Sequence, residues 1–283
     1  MTKTATSLKA FLDAHPAAAK VEVSAAKGST PREAGAWMLV APERIFGTIG
    51  GGQLEFMAID EARALLRAAP AAEAEREKAL DIPLGPEIGQ CCGGRVGLSI
   101  ERVDQGLRDR LLARARAEDD RLPRVLVFGG GHVGRALAET LVLLPVRATV
   151  VETRAEAIAG FPADVETRLS AVPEELVRAA SAGTAFVVLT HDHALDFLIV
   201  SEALKRGDAA YVGMIGSATK KATFRSWFLK TAGGSAAALS RLVTPIGGDG
   251  VRDKRPAVIA ALAAAEIMTA LVAAFQPSSS ASR

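Results

Sequence analysis

The chain has 283 residues, 49% hydrophobic and 23% charged, enough for two domains with separate cores. Its 34 basic and 32 acidic residues leave a net charge of +2 and are interspersed, which excludes the basic stripe of a non-specific nucleic-acid binder. Aromatic residues make up only 5%, so the helices are expected to pack closely through alanine and other small side chains.

The opening stretch MTKTATSLKAFLDAH has no long apolar run of the secretory type, and the protein is expected in the cytoplasm. Thr6 to Ala14 reads as a short helix. Val21 to Thr30 and Gly35 to Val40 read as strands joined by a Gly-Ser-Thr-Pro-Arg turn. IFGTIGGGQLEFMAIDEARALLRAA then runs from a strand through a glycine turn into a long helix. KALDIPL and RVGLSIERV read as strands flanking PEIGQCCGG, which holds the chain's two cysteines, Cys91 and Cys92. Adjacent cysteines rarely pair, because the ring they close is strained, so both are expected as free thiols. The charged helical stretch that ends at Pro123 reads as a connector over 108–122, after a first domain over 1–107.

From Arg124 onward strands and helices alternate, which predicts a parallel sheet with helices on both faces over 123–275, and a disordered tail over 276–283. The apolar run Ala257 to Phe275 approaches a membrane span in length, but Glu266 at its centre and its alanine content predict a core helix and no membrane partner. The fold class is therefore α/β: a Rossmann-like parallel-sheet domain preceded by a smaller mixed α/β domain.

The motifs gather at the expected strand ends. RVLVFGGGHVGRALAETL places Gly129, Gly131 and Gly134 in G-x-G-x-x-G spacing between a strand and a helix, and the next strand ends in Glu152, where an acid meets a ribose hydroxyl in dinucleotide sites. His132 inside that loop has two readings, ligand contact or solvent. LTHDHALD offers Thr190, His191, Asp192, His193 and Asp196 for ligand hydrogen bonding, metal binding or helix capping. MIGSATKKATFRSW offers Gly216, Ser217, Lys220, Lys221 and Arg225 as an anion site or a solvated cationic face. In the first domain KGSTPREAG, IGGGQLE and IGQCCGGRVG place Gly28, Ser29, Arg32, Gly50, Gly51, Gly52, Cys91, Cys92, Gly93, Gly94 and Arg95 in turns whose amides suit a ligand.

Taken in order, GS-x-PR (Gly28 to Arg32), IGGG-x-LE (Ile49 to Glu55), CGG (Cys92 to Gly94), FGGGHVG, THD (Thr190 to Asp192), YVGMIGS (Tyr211 to Ser217) and TPIG (Thr244 to Gly247) resemble the XdhC/CoxI family over about residues 20 to 270. Two positions depart from the family pattern. Position 53 is Gln where the family often has Cys, and TPIG is followed by GGDGVRDKRP rather than an acidic segment. The resemblance implies a carrier that binds the molybdenum cofactor (molybdopterin). It holds the cofactor while a cysteine desulfurase replaces an oxo ligand by sulfido, then promotes insertion into the molybdenum-binding subunit of xanthine dehydrogenase. A homodimer and a role as maturation chaperone rather than metabolic enzyme go with it.

Such cargo asks for phosphate donors, a slot for the pterin and soft groups near the metal. Gly129 to Gly134 suit the phosphate, Gly28 to Arg32 and Gly50 to Gly52 the slot, and a thiolate the molybdenum, with Cys92 ahead of Cys91 because it belongs to the CGG match. The other reading of the thiols is a small apolar residue in a tight turn. The rival functions are an NAD-dependent oxidoreductase using a dinucleotide at Gly129 with His191 and Asp192 as catalytic groups, and a ligand-free adaptor between desulfurase and dehydrogenase.

Overall fold

The computed structural model describes residues 5–68, 77–85, 93–162, 165–248, 250–251 and 253–275, so Cys91, Cys92 and the tail from 276 lie outside the described residues. The chain divides into two compact units, Lys3–Asp120 and Arg121–Arg283.

The first unit runs α1 (Ala5–Ala14), β1 (Ala19–Lys27), β2 (Trp37–Val40), β3 (Ile45–Gly47), α2 (Gly52–Arg67), β4 (Glu77–Pro83), β5 (Arg95–Arg102) and α3 (Gln105–Arg121). Its strands form an antiparallel sheet in the order β3-β2-β1-β5-β4. Alternation along the strands builds two cores. Val21, Val23, Met38, Leu98 and Ile100 meet Leu54, Ala58 and Ala62 of α2. Trp37, Leu39 and Phe46 point the other way, against Leu8 and Leu12 of α1 and Leu107, Leu111, Leu112 and Ala115 of α3. The strongly charged helix expected over 108–122 as a connector is thus α3, an integral core helix of the first unit. Its few leucines fall at helical spacing, and the charges occupy the rest of its surface.

The second unit runs β6 (Arg124–Phe128), α4 (His132–Leu141), β7 (Arg147–Glu152), α5 (Ala155–Ile158), β8 (Glu166–Leu169), α6 (Pro173–Ala179), β9 (Ala185–Val188), α7 (His193–Arg206), β10 (Tyr211–Met214), α8 (Ala218–Lys230), α9 (Ala236–Leu239), β11 (Leu242–Val243) and α10 (Pro256–Phe275). All strand pairs are parallel, in the order β11-β10-β9-β6-β7-β8. Counted from β6 as the first strand, this is the doubly wound order 3-2-1-4-5-6 read from the β8 edge. Val125, Val127, Val150 and Val187 face α4 and α10, whereas Phe128, Val151, Phe186 and Val188 face α6, α7 and α8. Coverage of both faces explains why the central strands read as unbroken apolar runs.

Among the described residues α10 is the one helix long and apolar enough to cross a membrane. One stripe, Ala260, Ala263, Ala264, Ile267 and Leu271, packs into the core, while Val272 and Phe275 are exposed. The expected core helix is therefore buried on one face only. Glu266 interrupts the apolar run for a local reason: its Oε2 accepts the Tyr211 hydroxyl at 2.8 Å and the Gly247 N–H at 2.9 Å. Burial, then the hydrogen bond and charge of Glu266, push the phenol pKa of Tyr211 upward, so it stays a donor. Glu266→Leu strands both donors and is expected to lower unfolding free energy by about 2–3 kcal/mol in urea titration. Glu266→Gln, which keeps an acceptor, is expected to lose less than half of that.

Candidate functional site

In the second unit the ladder sets Phe128 opposite Val151 and Val188, and Val188 opposite Met214. The loops that follow β6, β7, β9 and β10 therefore leave the sheet along one carboxyl edge. The topological switch point lies between β6 and β9, where ligands of open α/β sheets bind. The three glycines of the first loop have separate jobs. Gly129 has φ +119°, and a Cβ there would stand 2.4 Å from the Leu189 carbonyl oxygen, on the far side of the switch point. A Cβ on Gly134 would stand 1.9 Å from the Gly129 carbonyl oxygen, so this glycine lets α4 close onto the strand end. Gly131 has nothing within 4 Å of its Cβ position. It is also the N-cap of α4, and no side chain caps that helix. Open space over uncapped amides at a helix N-terminus suits an anion. His132, the first residue of α4, is exposed.

Glu152 does not stand free for a ribose hydroxyl. It is 4% exposed, and its Oε2 accepts the Gly130 N–H at 3.0 Å while Oε1 accepts the Thr153 N–H at 2.8 Å. Arg154 lies against both oxygens at 3.4 Å. Burial opposes its ionisation, but the bonds from Gly130, Arg154 and Thr153 and the Arg154 charge outweigh it and hold the pKa down to about 2. The acid braces the glycine loop from below.

The next two loops are tied together by a buried pair. Asp196 is fully buried, and its Oδ1 accepts the Thr190 N–H at 3.0 Å and lies 2.6 Å from the Thr190 hydroxyl. Its Oδ2 pairs with the Lys220 ammonium, which also donates to the Ile215 carbonyl at 3.0 Å. Asp192 caps α7, accepting from Ala194 N at 2.8 Å and Leu195 N at 3.4 Å, and Ser217 caps α8, accepting from Lys220 N at 3.3 Å. His191 and His193 are exposed. Gly216 lies over the Lys220 stem, where a Cβ would come within 2.8 Å of Cδ. Lys221 donates to the Thr244 carbonyl at 3.1 Å and ties in the last loop. Asp196 and Lys220 stood in the sequence only as members of a polar cluster. Nothing in the chain order pairs them, because the pairing depends on α7 and α8 lying side by side. Among the described residues no group of three or more His, Cys, Asp or Glu is placed to hold a metal.

The first unit brings its glycine turns together too. Ser29 bridges Gly93, and a Cβ on Gly94 would stand 2.2 Å from the Ser29 carbonyl oxygen. A Cβ on Gly50 would stand 2.6 Å from Pro31 Cβ and 3.3 Å from Arg32 Cγ. Gly50, Gly51 and Gly52 carry φ of +128°, +79° and +66°, a run open to glycine alone. Glu55 holds this run: its Oε2 accepts the N–H groups of Ile49 and Gly51 at 3.0 and 3.1 Å and the Thr48 hydroxyl at 2.5 Å. Arg32 is exposed, whereas Arg95 is engaged by Asp81 through bonds of 2.6 and 2.7 Å. Cys91 and Cys92 lie outside the described residues, so the structure brings the turns 28–32, 50–52 and 93–94 together without placing either thiol.

The XdhC Rossmann-domain family model matches residues 125–267, and the XdhC and CoxI family model matches residues 11–75. The chain belongs to the XdhC and CoxI family. The first match takes in the four loops of the carboxyl edge, and the second takes in the turns 28–32 and 50–52. YqeB, an uncharacterized protein of Escherichia coli, is 28% identical over 145 residues, which cover 50% of this chain and 23% of that relative. A crystal structure of a xanthine dehydrogenase from Bacillus halodurans superposes with a TM-score of 0.75 at 17% identity, over 98% of this chain and 97% of that one. At that identity the likeness is one of fold.

Two outcomes test the bracing of this family member's loops. Glu152, with a folded pKa of about 2 against an ordinary 4.5, stabilises fully above pH 4.5 and loses that contribution as pH falls toward 2. Urea midpoints down the acid limb are expected to show a loss of at most about 3 kcal/mol that is absent in Glu152→Gln. At neutral pH, Lys220→Met or Asp196→Asn alone is expected to cost about 3–5 kcal/mol, because each leaves a buried charge without its partner. The double variant is expected to cost clearly less than the sum of the two in the same titration.

Proposed function

We propose that this protein is a carrier for the molybdenum cofactor in xanthine dehydrogenase maturation, with the carboxyl edge of the second unit holding the cofactor's phosphate. The observation that supports this most is Gly131. In a chain of the XdhC and CoxI family, the N-terminus of α4 is left open at the switch point of the sheet, uncapped and with space above it. A phosphate fits the donor character of that site. His132 at the start of α4, and Gly216, Ser217 and His191 on the neighbouring loops of the same edge, are available to orient the pterin. The turns 28–32, 50–52 and 93–94 of the first unit offer a second amide-rich surface, open above Gly51 and Gly93.

The cargo supplies the molybdenum at which a cysteine desulfurase exchanges oxo for sulfido, and Cys92 or Cys91 is the proposed thiol contact. Handover to the molybdenum-binding subunit of xanthine dehydrogenase, a homodimeric carrier and a cytoplasmic setting complete the reading. The Bacillus halodurans neighbour, described as a xanthine dehydrogenase, is in keeping with that client. The NAD-dependent alternative draws on the doubly wound strand order, but two of its expected groups are otherwise engaged: Asp192 of the catalytic pair caps a helix, and the oxygens of Glu152, the expected ribose contact, accept from protein donors.

The test uses two neighbouring glycines. Gly131→Val fills open space, so its thermal unfolding is expected to match the wild type, while molybdenum and pterin retained after anaerobic purification fall at least about tenfold. Gly134→Ala is expected to lose about 2 kcal/mol or more of stability, since its Cβ meets backbone. Full retention of cofactor by a folded Gly131→Val variant overturns the assignment. Retention of NADH with no pterin favours the oxidoreductase.

A further inference from the structure

A cavity of about 130 Å³ opens in the second unit, away from the carboxyl-edge loops, none of whose residues lines it. It lies where α6 meets the face of β6, β7 and β8. Its floor is apolar, from Leu126, Val151 and Leu176. Two exposed cations, Arg124 and Arg168, line it as well, and neither guanidinium has a hydrogen-bond or ion-pair partner among the described residues. The carboxylate that also lines it, Glu166, is paired with Arg147 at 3.2 Å on the same sheet face. Thr149 lines it too, and its hydroxyl makes no hydrogen bond to protein among the described residues, so it is open to the cavity.

We infer that this cavity is a binding site for a small apolar carboxylate: the body fills the floor over Leu126 and Val151, Thr149 meets a polar atom, and Arg124 and Arg168 hold the carboxylate. The room matches a single ring, as a cavity of about 150 Å³ accepts benzene. Two guanidinium groups without acid partners select for the anion over a neutral molecule of the same shape. This inference is independent of the cofactor reading, because the two sites share no residue.

Benzoate is the probe and benzyl alcohol its neutral counterpart, titrated into the full chain and followed by amide NMR. Benzoate is expected to move the amides of Thr149, Val151 and Arg168 with a dissociation constant of about 1 mM or below. Benzyl alcohol is expected to bind at least about tenfold more weakly. The exposed double variant Arg124→Ala with Arg168→Ala should lose benzoate by a similar factor while keeping its spectrum. Equal affinity for the two probes, or no shift at those amides with millimolar benzoate, overturns the proposal. The wild-type comparison of the two probes decides the matter even if the variant fails to fold.

Discussion

The Glu152 carboxylate accepts the Gly130 N–H, and on that bond rests the shape of the loop that leads into α4. A loop with glycine at 129, 130 and 131 has little side-chain contact to define it, and its amides need acceptors. A charged oxygen at the end of the neighbouring strand supplies one and, being ionised far below neutral pH, does so over the whole physiological range. With the loop held, Gly129 packs against Leu189 across the switch point and Gly134 brings α4 down onto the strand.

The same device recurs at three other motif loops. Glu55 collects the amides of Ile49 and Gly51, Asp196 the amide of Thr190, and Glu266 the amide of Gly247. Each acid lies on a helix or strand, each amide in an irregular turn. Charge-assisted bonds to backbone N–H groups are short and directional, so they set turns that apolar packing alone leaves loose. Rigid turns expose the remaining amides in a set arrangement, which is what recognition of an anionic ligand by backbone requires. Family membership, the doubly wound order and these held loops together support a carrier of phosphate-bearing cargo.

Much of this was legible in the chain. Period-two alternation marks β1 and β5, unbroken apolar runs mark β6 and β9, and glycine spacing marks the turn into α4, because each signal is local. The motif order carries the family. The helix over 108–122 reads as a connector from its net polarity, which hides the few leucines that pack it into the first unit. Glu152 looked like a ribose ligand because its distance from the glycine loop suits that role, yet the same distance suits a brace. Asp192 had helix capping among its readings, and it caps α7.

By itself the sequence determined the secondary elements, the order of the loops and the family, since these follow from nearest neighbours and repeated spacings along one dimension. Only the tertiary structure decided which acid serves which amide, that Lys220 pairs with Asp196, that Gly131 faces open space while Gly134 does not, and that Arg124 and Arg168 share a cavity. Those relations join residues on different elements across a sheet. They exist only once the strands take the order β8-β7-β6-β9-β10-β11, which brings separated segments of chain edge to edge.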